Sequence, residues 1–476
     1  MIKPNMLEAK IRSDKIVNTY NYQLNKNYLN MFKGLKYYIK TYGCQMNERD
    51  SESIKAILEE MGFTYIDNYK EADLVILNTC SIRENAHNKA FGMLGRLKNL
   101  KLEKKDLIVG LCGCMPQEET VAAKIIDKFK WVNFVLGTHN INNLPELLVK
   151  SIDERQIEVY SIEGDIIEDM PAKRDNPYKA FVNIIYGCDK FCTYCIVPYV
   201  RGKQRSRTKE AILKEINELI KQGYQEITLL GQNVNAYGKD FKDKYLLEDL
   251  LEDIAKTSIK RIRFVTSHPW DFTDNLIEVM KKYPNICNSI HLPVQSGSNK
   301  ILKLMGRKYT KEEYLILFNK LKKAIPNIAI STDIIVGFPN ETEEDYNETI
   351  DLVNKCKFDM VFSFIYSKRD NTPASLMKDD TLMSVKEERL YNLNKIVNNY
   401  FLENNNKLLN NVFPVLIEGK SLKKQGYLFG YSDTNKLVNV KGKEDLIGQI
   451  VNVKITKPMT WSLDGEIDES TSAARN

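Results

Sequence analysis

No hydrophobic run in this 476-residue chain is long enough to span a bilayer, and the first 33 residues lack the apolar core of a secretion signal. A cytoplasmic protein is therefore expected. A strong excess of one charge is also missing. The 69 Lys and Arg against 63 Asp and Glu leave +6, which by itself is no proof of a nucleic-acid partner. Nor is there a disulfide framework: the nine cysteines are an odd number spread along the chain, and six of them fall into two trios beside strand-like segments. That pattern favours a reducing compartment and metal ligation. The length is too great for one ordinary core and implies two or three globular domains that fold without disulfides.

Histidine is absent from the stretch where a zinc site would need it. Cys188-Asp-Lys-Phe-Cys192-Thr-Tyr-Cys195 sets three thiols at C-x-x-x-C-x-x-C spacing, directly after Ala180 to Tyr186 (AFVNIIY), which reads as a buried strand. A cubane iron-sulfur cluster takes four Cys ligands, so three local ones leave one iron open to solvent or substrate. Zinc with three Cys and a fourth ligand, or free thiols, are the alternatives, although zinc knuckles pair their ligands as C-x-x-C. Arg201, Lys203, Arg205 and Arg207 gather positive charge just after this loop, the alternative being a solvated charged face.

The stretch GCDKFCTYCIVPYVRG, residues 187–202, resembles the signature of the radical S-adenosylmethionine (SAM) enzymes, and within them the methylthiotransferase branch. In that superfamily the open iron binds SAM through its amino and carboxylate groups and reduces it to a 5′-deoxyadenosyl radical. The resemblance thus implies SAM and a 4Fe-4S cluster held by Cys188, Cys192 and Cys195.

From Leu35 to about Lys150, KYYIKTYG, ADLVILNT, LIVGLCG and NFVLG read as strands alternating with helices, a βαβ pattern that predicts a parallel sheet. Cys44, Cys80 and Cys114 each follow a strand and precede a helix. Parallel strands bring such positions to one sheet edge, where open α/β sheets bind ligands. Buried cysteines acting as small hydrophobes, or zinc with His87 as a fourth ligand, are the alternatives, and Cys112 can replace Cys114 on spacing alone. GCQMN, NTCSIR and GCM resemble the motifs of the methylthiotransferase N-terminal domain; that resemblance selects Cys114 and implies a second open cluster. Cys287 and Cys356 read as core residues.

The expected division is a polar, Asn-rich and poorly ordered extension over 1–34, an N-terminal α/β domain over 35–151, a radical SAM core over 174–405 and a C-terminal domain over 408–471, with 152–177 as a linker. Six strand-then-helix units in the core fit a partial (β/α)6 barrel rather than the complete eight. Gly231, Gln232, Asn233, Ser296 and Gly337 follow its strands, where a barrel gathers functional loops; the resemblance implies SAM contacts there, with Tyr194 beside the adenine. Each is otherwise a turn residue. His268 and His291 read as structural. Five short strands after a connecting helix (386–411) predict a small OB-like barrel. It resembles the TRAM domain, and Lys420, Lys423, Lys424, Tyr427, Phe429 and Tyr431 supply cations and stacking faces for RNA.

The resemblance implies a tRNA methylthiotransferase acting at C2 of N6-isopentenyladenosine, with two 4Fe-4S clusters, a low-potential electron donor such as flavodoxin or ferredoxin, a sulfur source and no membrane. Threonylcarbamoyladenosine in tRNA or a ribosomal protein is the alternative substrate, and a non-enzymatic iron-sulfur RNA-binding protein the alternative class. An unactivated C2 hydrogen gives acid-base catalysis little purchase, so no catalytic side chain is nominated.

Overall fold

The computed structural model describes residues 1–10, 17–81 and 84–468. Part of the extension (11–16), Ile82 and Arg83 of the NTCSIR motif, and 469–471 of the expected C-terminal domain lie outside the described residues.

The N-terminal sheet has six parallel strands in the order Thr64–Tyr65, Lys36–Tyr42, Leu74–Thr79, Ile108–Gly113, Phe134–Leu136, Gln156–Glu158. Leu74–Thr79 is buried at every position, as a central parallel strand covered on both faces must be. One apolar cluster contains Ile54, Ile57 and Leu58 of the Gln45–Glu60 helix, and another contains Ala90, Leu94 and Leu97 of the Glu84–Glu103 helix.

Two expectations are corrected here. The segment 152–177 is not merely a linker: it supplies the edge strand Gln156–Glu158, and its Ile166–Glu168 pairs in parallel with Thr19–Asn21 of the extension. The described part of the extension is itself packed, for Met6 is buried and the Ile2 N–H donates to the Ile157 carbonyl at 2.7 Å. The physical cause is the same in both cases. A sheet edge presents unpaired backbone groups that need partners, and these neighbouring segments provide them.

Six further parallel strands, Lys179–Asn183, Glu226–Leu230, Arg261–Phe264, Ser289–His291, Ala329–Val336 and Met360–Ile365, form the partial barrel in chain order. The two hydrogen-bonded halves meet where Ile262 bridges Ile286. Alternate residues such as Val182, Leu229, Ile290 and Ile334 join the apolar cluster that includes the surrounding helices. Their strand neighbours, among them Thr228, Arg263, His291 and Asp333, therefore face inward.

The Met383–Asn406 helix leads to a closed barrel with strand order Val412–Lys420, Tyr427–Ser432, Leu437–Lys441, Leu463–Ile467, Ile450–Pro458. It docks at the N-terminal ends of the large barrel's strands. Arg263 donates to the Ser432 carbonyl at 2.6 Å and the Asp433 carbonyl at 2.9 Å, and Arg261 to the Tyr431 carbonyl at 3.0 Å. Both arginines also pair with Glu226, so the base of the large barrel is filled and the C-terminal strand ends are left for the cysteine loop.

Candidate functional site

Three equivalent strand-to-helix turns build the first trio. Cys44 caps the Gln45–Glu60 helix, the Cys80 N–H donates to the Tyr42 carbonyl at 2.9 Å, and the Cys114 N–H donates to the Thr79 carbonyl at 2.7 Å. The turns are stitched side by side. Gly113 makes this possible at φ +96°: a Cβ there would stand 2.5 Å from the Thr79 carbonyl oxygen. Asn47 fills the floor, its side-chain amide donating to Asn78 Oδ1 at 3.1 Å and standing 4.0 Å from Cys114 Sγ.

A hydrogen bond with the Cys80 thiol and, against the effect of burial, the charge of Arg201 pull the Cys44 thiol down to about 6. Burial pushes the Cys114 thiol up to about 11 although Arg201 opposes it. Arg201 comes from the other domain. It is 4% exposed, its Nε donates to Cys114 Sγ at 3.1 Å, and its Nη2 donates to Asp50 Oδ2 at 2.7 Å. Cys112, the alternative on spacing, belongs instead to the apolar cluster that contains Ile54 and Phe134.

The second trio occupies a loop held from both sides. The Cys188 N–H donates to the Gly202 carbonyl at 3.1 Å, and Gly187 at φ +70° lets the chain pass so closely that a Cβ would stand 2.1 Å from the Lys203 carbonyl oxygen. Thr193 anchors the loop's middle: its N–H donates to the Met305 carbonyl at 3.0 Å and its hydroxyl to the Leu304 carbonyl at 2.7 Å. Arg307 reaches Cys192 Sγ at 3.5 Å and the Pro293 carbonyl at 3.1 Å. Burial pushes the Cys188 thiol up to about 11 and Cys195 higher still.

The first trio borders the segment that follows the second, because Cys114 shares one small apolar cluster with Met6, Ile196, Tyr199 and Val200, the last three within five residues of Cys195. All nine cysteines are described and none is in a disulfide. Among the described residues no three His, Cys, Asp or Glu side chains crowd around one point as ligands of a single ion would. A cubane places one thiolate on each of three irons and needs no such crowding, so the donor set fits that group.

The loops expected to meet SAM behave differently from one another. Asn233 is buried, donates to Asp271 Oδ2 at 2.6 Å and leaves its own Oδ1 without a partner. Gln232 reaches across to Met46 Sδ at 2.6 Å, and a Cβ on Gly231 would stand 2.3 Å from Ile185 Cγ2. Gly337 (φ +67°) donates its N–H to Glu341 at 2.8 Å. Tyr194 is packed edge-on against Phe338, ring centroids 6.4 Å apart. Ser296 is fully buried, and its hydroxyl meets Thr349 at 3.3 Å and accepts from the Ser298 N–H at 3.2 Å.

His87 faces Glu118 at 3.1 Å. His291 lies between Ser331 at 3.0 Å and Asp333 at 3.3 Å, and His268 accepts from the Trp270 N–H at 3.3 Å, with burial and nearby cations keeping it neutral. In the small barrel Lys420 pairs with Glu444 and Lys424 with Asp464, while Tyr431 lies under Lys179 at the seam with the large barrel. Sequence reasoning missed Asp50, Asn47 and Arg307, none of which carries a local signal. It saw Arg201 only as part of a basic cluster.

Residues 36–137 match the uncharacterized protein family UPF0004, residues 182–353 the Radical SAM superfamily and residues 407–467 the TRAM domain. The chain is 55% identical over 440 residues to the tRNA-2-methylthio-N(6)-dimethylallyladenosine synthase of Shouchella clausii, covering 92% of this chain and 85% of that one. It is 52% identical over 467 residues to the protein of the same name in Staphylococcus epidermidis, covering 97% and 91%. Among solved structures it is similar in fold to the radical SAM methyltransferase TsrM from Kitasatospora setae, with a TM-score of 0.52, 14% identity and coverage of 72% of this chain and 77% of that one.

Proposed function

Since this chain belongs to the tRNA-2-methylthio-N6-dimethylallyladenosine synthase family, we propose that its two cysteine trios hold the two clusters this reaction needs. The protein is a radical SAM tRNA methylthiotransferase that installs a methylthio group at C2 of N6-isopentenyladenosine beside the anticodon, with SAM and two 4Fe-4S clusters as cofactors. Bound there, these cofactors supply a radical for the unactivated C2 hydrogen and a sulfur for the new bond. The chain itself binds, orients and shields.

Cys188, Cys192 and Cys195 would hold one cluster, in a loop that Thr193 and Arg307 keep rigid. Cys44, Cys80 and Cys114 would hold the other. Asn233, with an unpartnered buried acceptor, leads the proposed SAM contacts, and Tyr194, Gly231, Gln232 and Gly337 complete the set. Ser296 contributes by shaping its turn. For the substrate's prenyl group, the inward face of Met360–Ile365 offers Phe362 and Phe364, 48% and 41% exposed, beside the polar His291 and Asp333. An apolar wall suits an isopentenyl tail and leaves a threonylcarbamoyl carboxylate unpaired. The small barrel binds the tRNA body through Tyr427 and Phe429. An electron donor of the flavodoxin or ferredoxin kind and a sulfur source come from outside the chain, which works in the cytoplasm; no described helix is long and apolar enough to cross a membrane.

The observation that supports this reading is the contact between the domains that carry the two thiol trios, Arg201 of one donating to Cys114 of the other at 3.1 Å. The test is anaerobic reconstitution with iron and sulfide, followed by mass spectrometry of 5′-deoxyadenosine and of the nucleosides of prenylated tRNA. Methylthio product on threonylcarbamoylated tRNA and none on prenylated tRNA would overturn the substrate assignment.

A further inference from the structure

Three consecutive residues, Val200, Arg201 and Gly202, hold both trios at once. The Gly202 carbonyl accepts the Cys188 N–H at 3.1 Å, and the Val200 carbonyl accepts the Thr138 hydroxyl of the N-terminal domain at 2.7 Å. Between them Arg201 sends its side chain the other way, Nε to Cys114 Sγ at 3.1 Å and Nη2 to Asp50 Oδ2 at 2.7 Å. The two domains therefore exchange contacts within one turn of chain, six residues after Cys195.

The geometry has a direction. A guanidinium is a planar fork, so anchoring one edge on Asp50 aims the Nε–H at a fixed point, and that point is the Cys114 sulfur. Asp50 also balances the arginine's charge, with both side chains almost wholly buried at 5% and 8% exposure. What Arg201 adds beside the sulfur is thus a directed hydrogen bond more than a bare positive charge. Hydrogen bonds to ligating sulfur stabilise the more negative, reduced state of an iron-sulfur cluster and raise its reduction potential.

We infer that Arg201 is a positioning residue of the N-terminal cluster: although it belongs to the radical SAM domain, it sets the reduction potential of the cluster on Cys44, Cys80 and Cys114 through its bond to the Cys114 sulfur, with Asp50 as the counter-charge. This rests on the trio being the ligand set proposed above. It also gives that cluster's electronics a dependence on domain docking, since the bond exists only while the two domains are in contact.

The experiment uses the full-length chain with Cys188, Cys192 and Cys195 replaced by Ala, so that only the N-terminal cluster is present. After anaerobic reconstitution, iron content, the EPR spectrum of the reduced cluster and its midpoint potential are measured for this parent and for Arg201→Gln, Arg201→Lys and Asp50→Asn in the same background. Arg201→Gln should keep its iron, shift its EPR g-values and titrate at a more negative potential. Arg201→Lys should lie between it and the parent. Asp50→Asn, which keeps an acceptor for Nη2 and so the aim of the Nε–H but removes the counter-charge, should shift in the opposite direction. If Arg201→Gln loses its iron, the potential of Arg201→Lys decides: below the parent supports the role, equal to the parent overturns it. Midpoints and spectra of the arginine variants that match the parent overturn it while the ligand assignment stands. A parent that holds no iron at all overturns both.

Discussion

Glu215 accepts a hydrogen bond from Arg174 at 2.6 Å, and the same carboxylate meets Arg207 at 2.7 Å and Arg49 at 3.7 Å. Arg49 lies on the Gln45–Glu60 helix, Arg174 in the segment between the two domains, and Arg207 in the radical SAM domain. One acid ties three parts of the chain. Burial would raise its pKa, but the three guanidiniums outweigh burial and hold its carboxyl down to about 2.

Glu215→Gln should therefore lower stability at pH 7 by about 3 kcal/mol, the scale for leaving buried charges without their partner. Its folded pKa is depressed, so the charged acid's contribution is complete above the unfolded Glu value of about 4 and fades as pH falls from there towards 2. Denaturant unfolding of parent and variant should differ most at neutral pH and converge in acid. Equal stability at pH 7 would remove Glu215 as the organiser of this seam.

Replacing Cys188, Cys192 and Cys195 by Ala should halve the iron of the reconstituted protein, from about eight to about four per chain, and abolish 5′-deoxyadenosine formation. Iron and sulfide analysis with a SAM-cleavage assay measures both. Unchanged iron would mean that this trio is not a ligand set.

Replacing Cys44, Cys80 and Cys114 should remove the methylthio product from tRNA while SAM is still cleaved, because the two trios are held by different sheets. The contact between their domains makes a control necessary, since Arg201 loses its sulfur partner in this variant. Retention of about four irons per chain shows the second cluster intact. Loss of SAM cleavage from a variant with that iron content would show the two sites to be inseparable.

For RNA binding, removal of the small barrel is a poor test. It would expose Arg261 and Arg263, which the Tyr431, Ser432 and Asp433 carbonyls now satisfy, and should lower the melting temperature of the remaining chain. Tyr427→Ala is cleaner, for this ring stands outside the docking seam with Lys424 5.0 Å over it. It should weaken tRNA binding by about 1–3 kcal/mol, the cost of one lost base stack, at unchanged SAM cleavage. Identical affinity by filter binding would argue against an RNA-facing Tyr427.

Phe364→Ala should raise KM for prenylated tRNA about tenfold or more, as loss of apolar contact with a hydrocarbon tail does, with a smaller effect on kcat. Steady-state kinetics with prenylated tRNA reads the split. An unchanged KM would argue against Phe364 as part of the wall that binds the prenyl group.

The sequence by itself determined the parallel α/β order, the partial barrel and the small closed barrel, and it singled out both thiol trios as candidates. These depend on local matters: spacing within one loop, period-two and helical alternation, and the rule that parallel strands end along one edge. It could not place what joins the parts. The extension was expected to be loose and 152–177 to be a linker, yet Met6 packs beside Cys114, and Glu168 and Arg174 enter buried ion pairs. Arg201 meets Cys114 across 87 positions and Asp50 across 151. No periodicity reports such pairs, because what selects each partner is the desolvation of a charge that the assembled domains bury, and that cost exists only once the tertiary structure has formed.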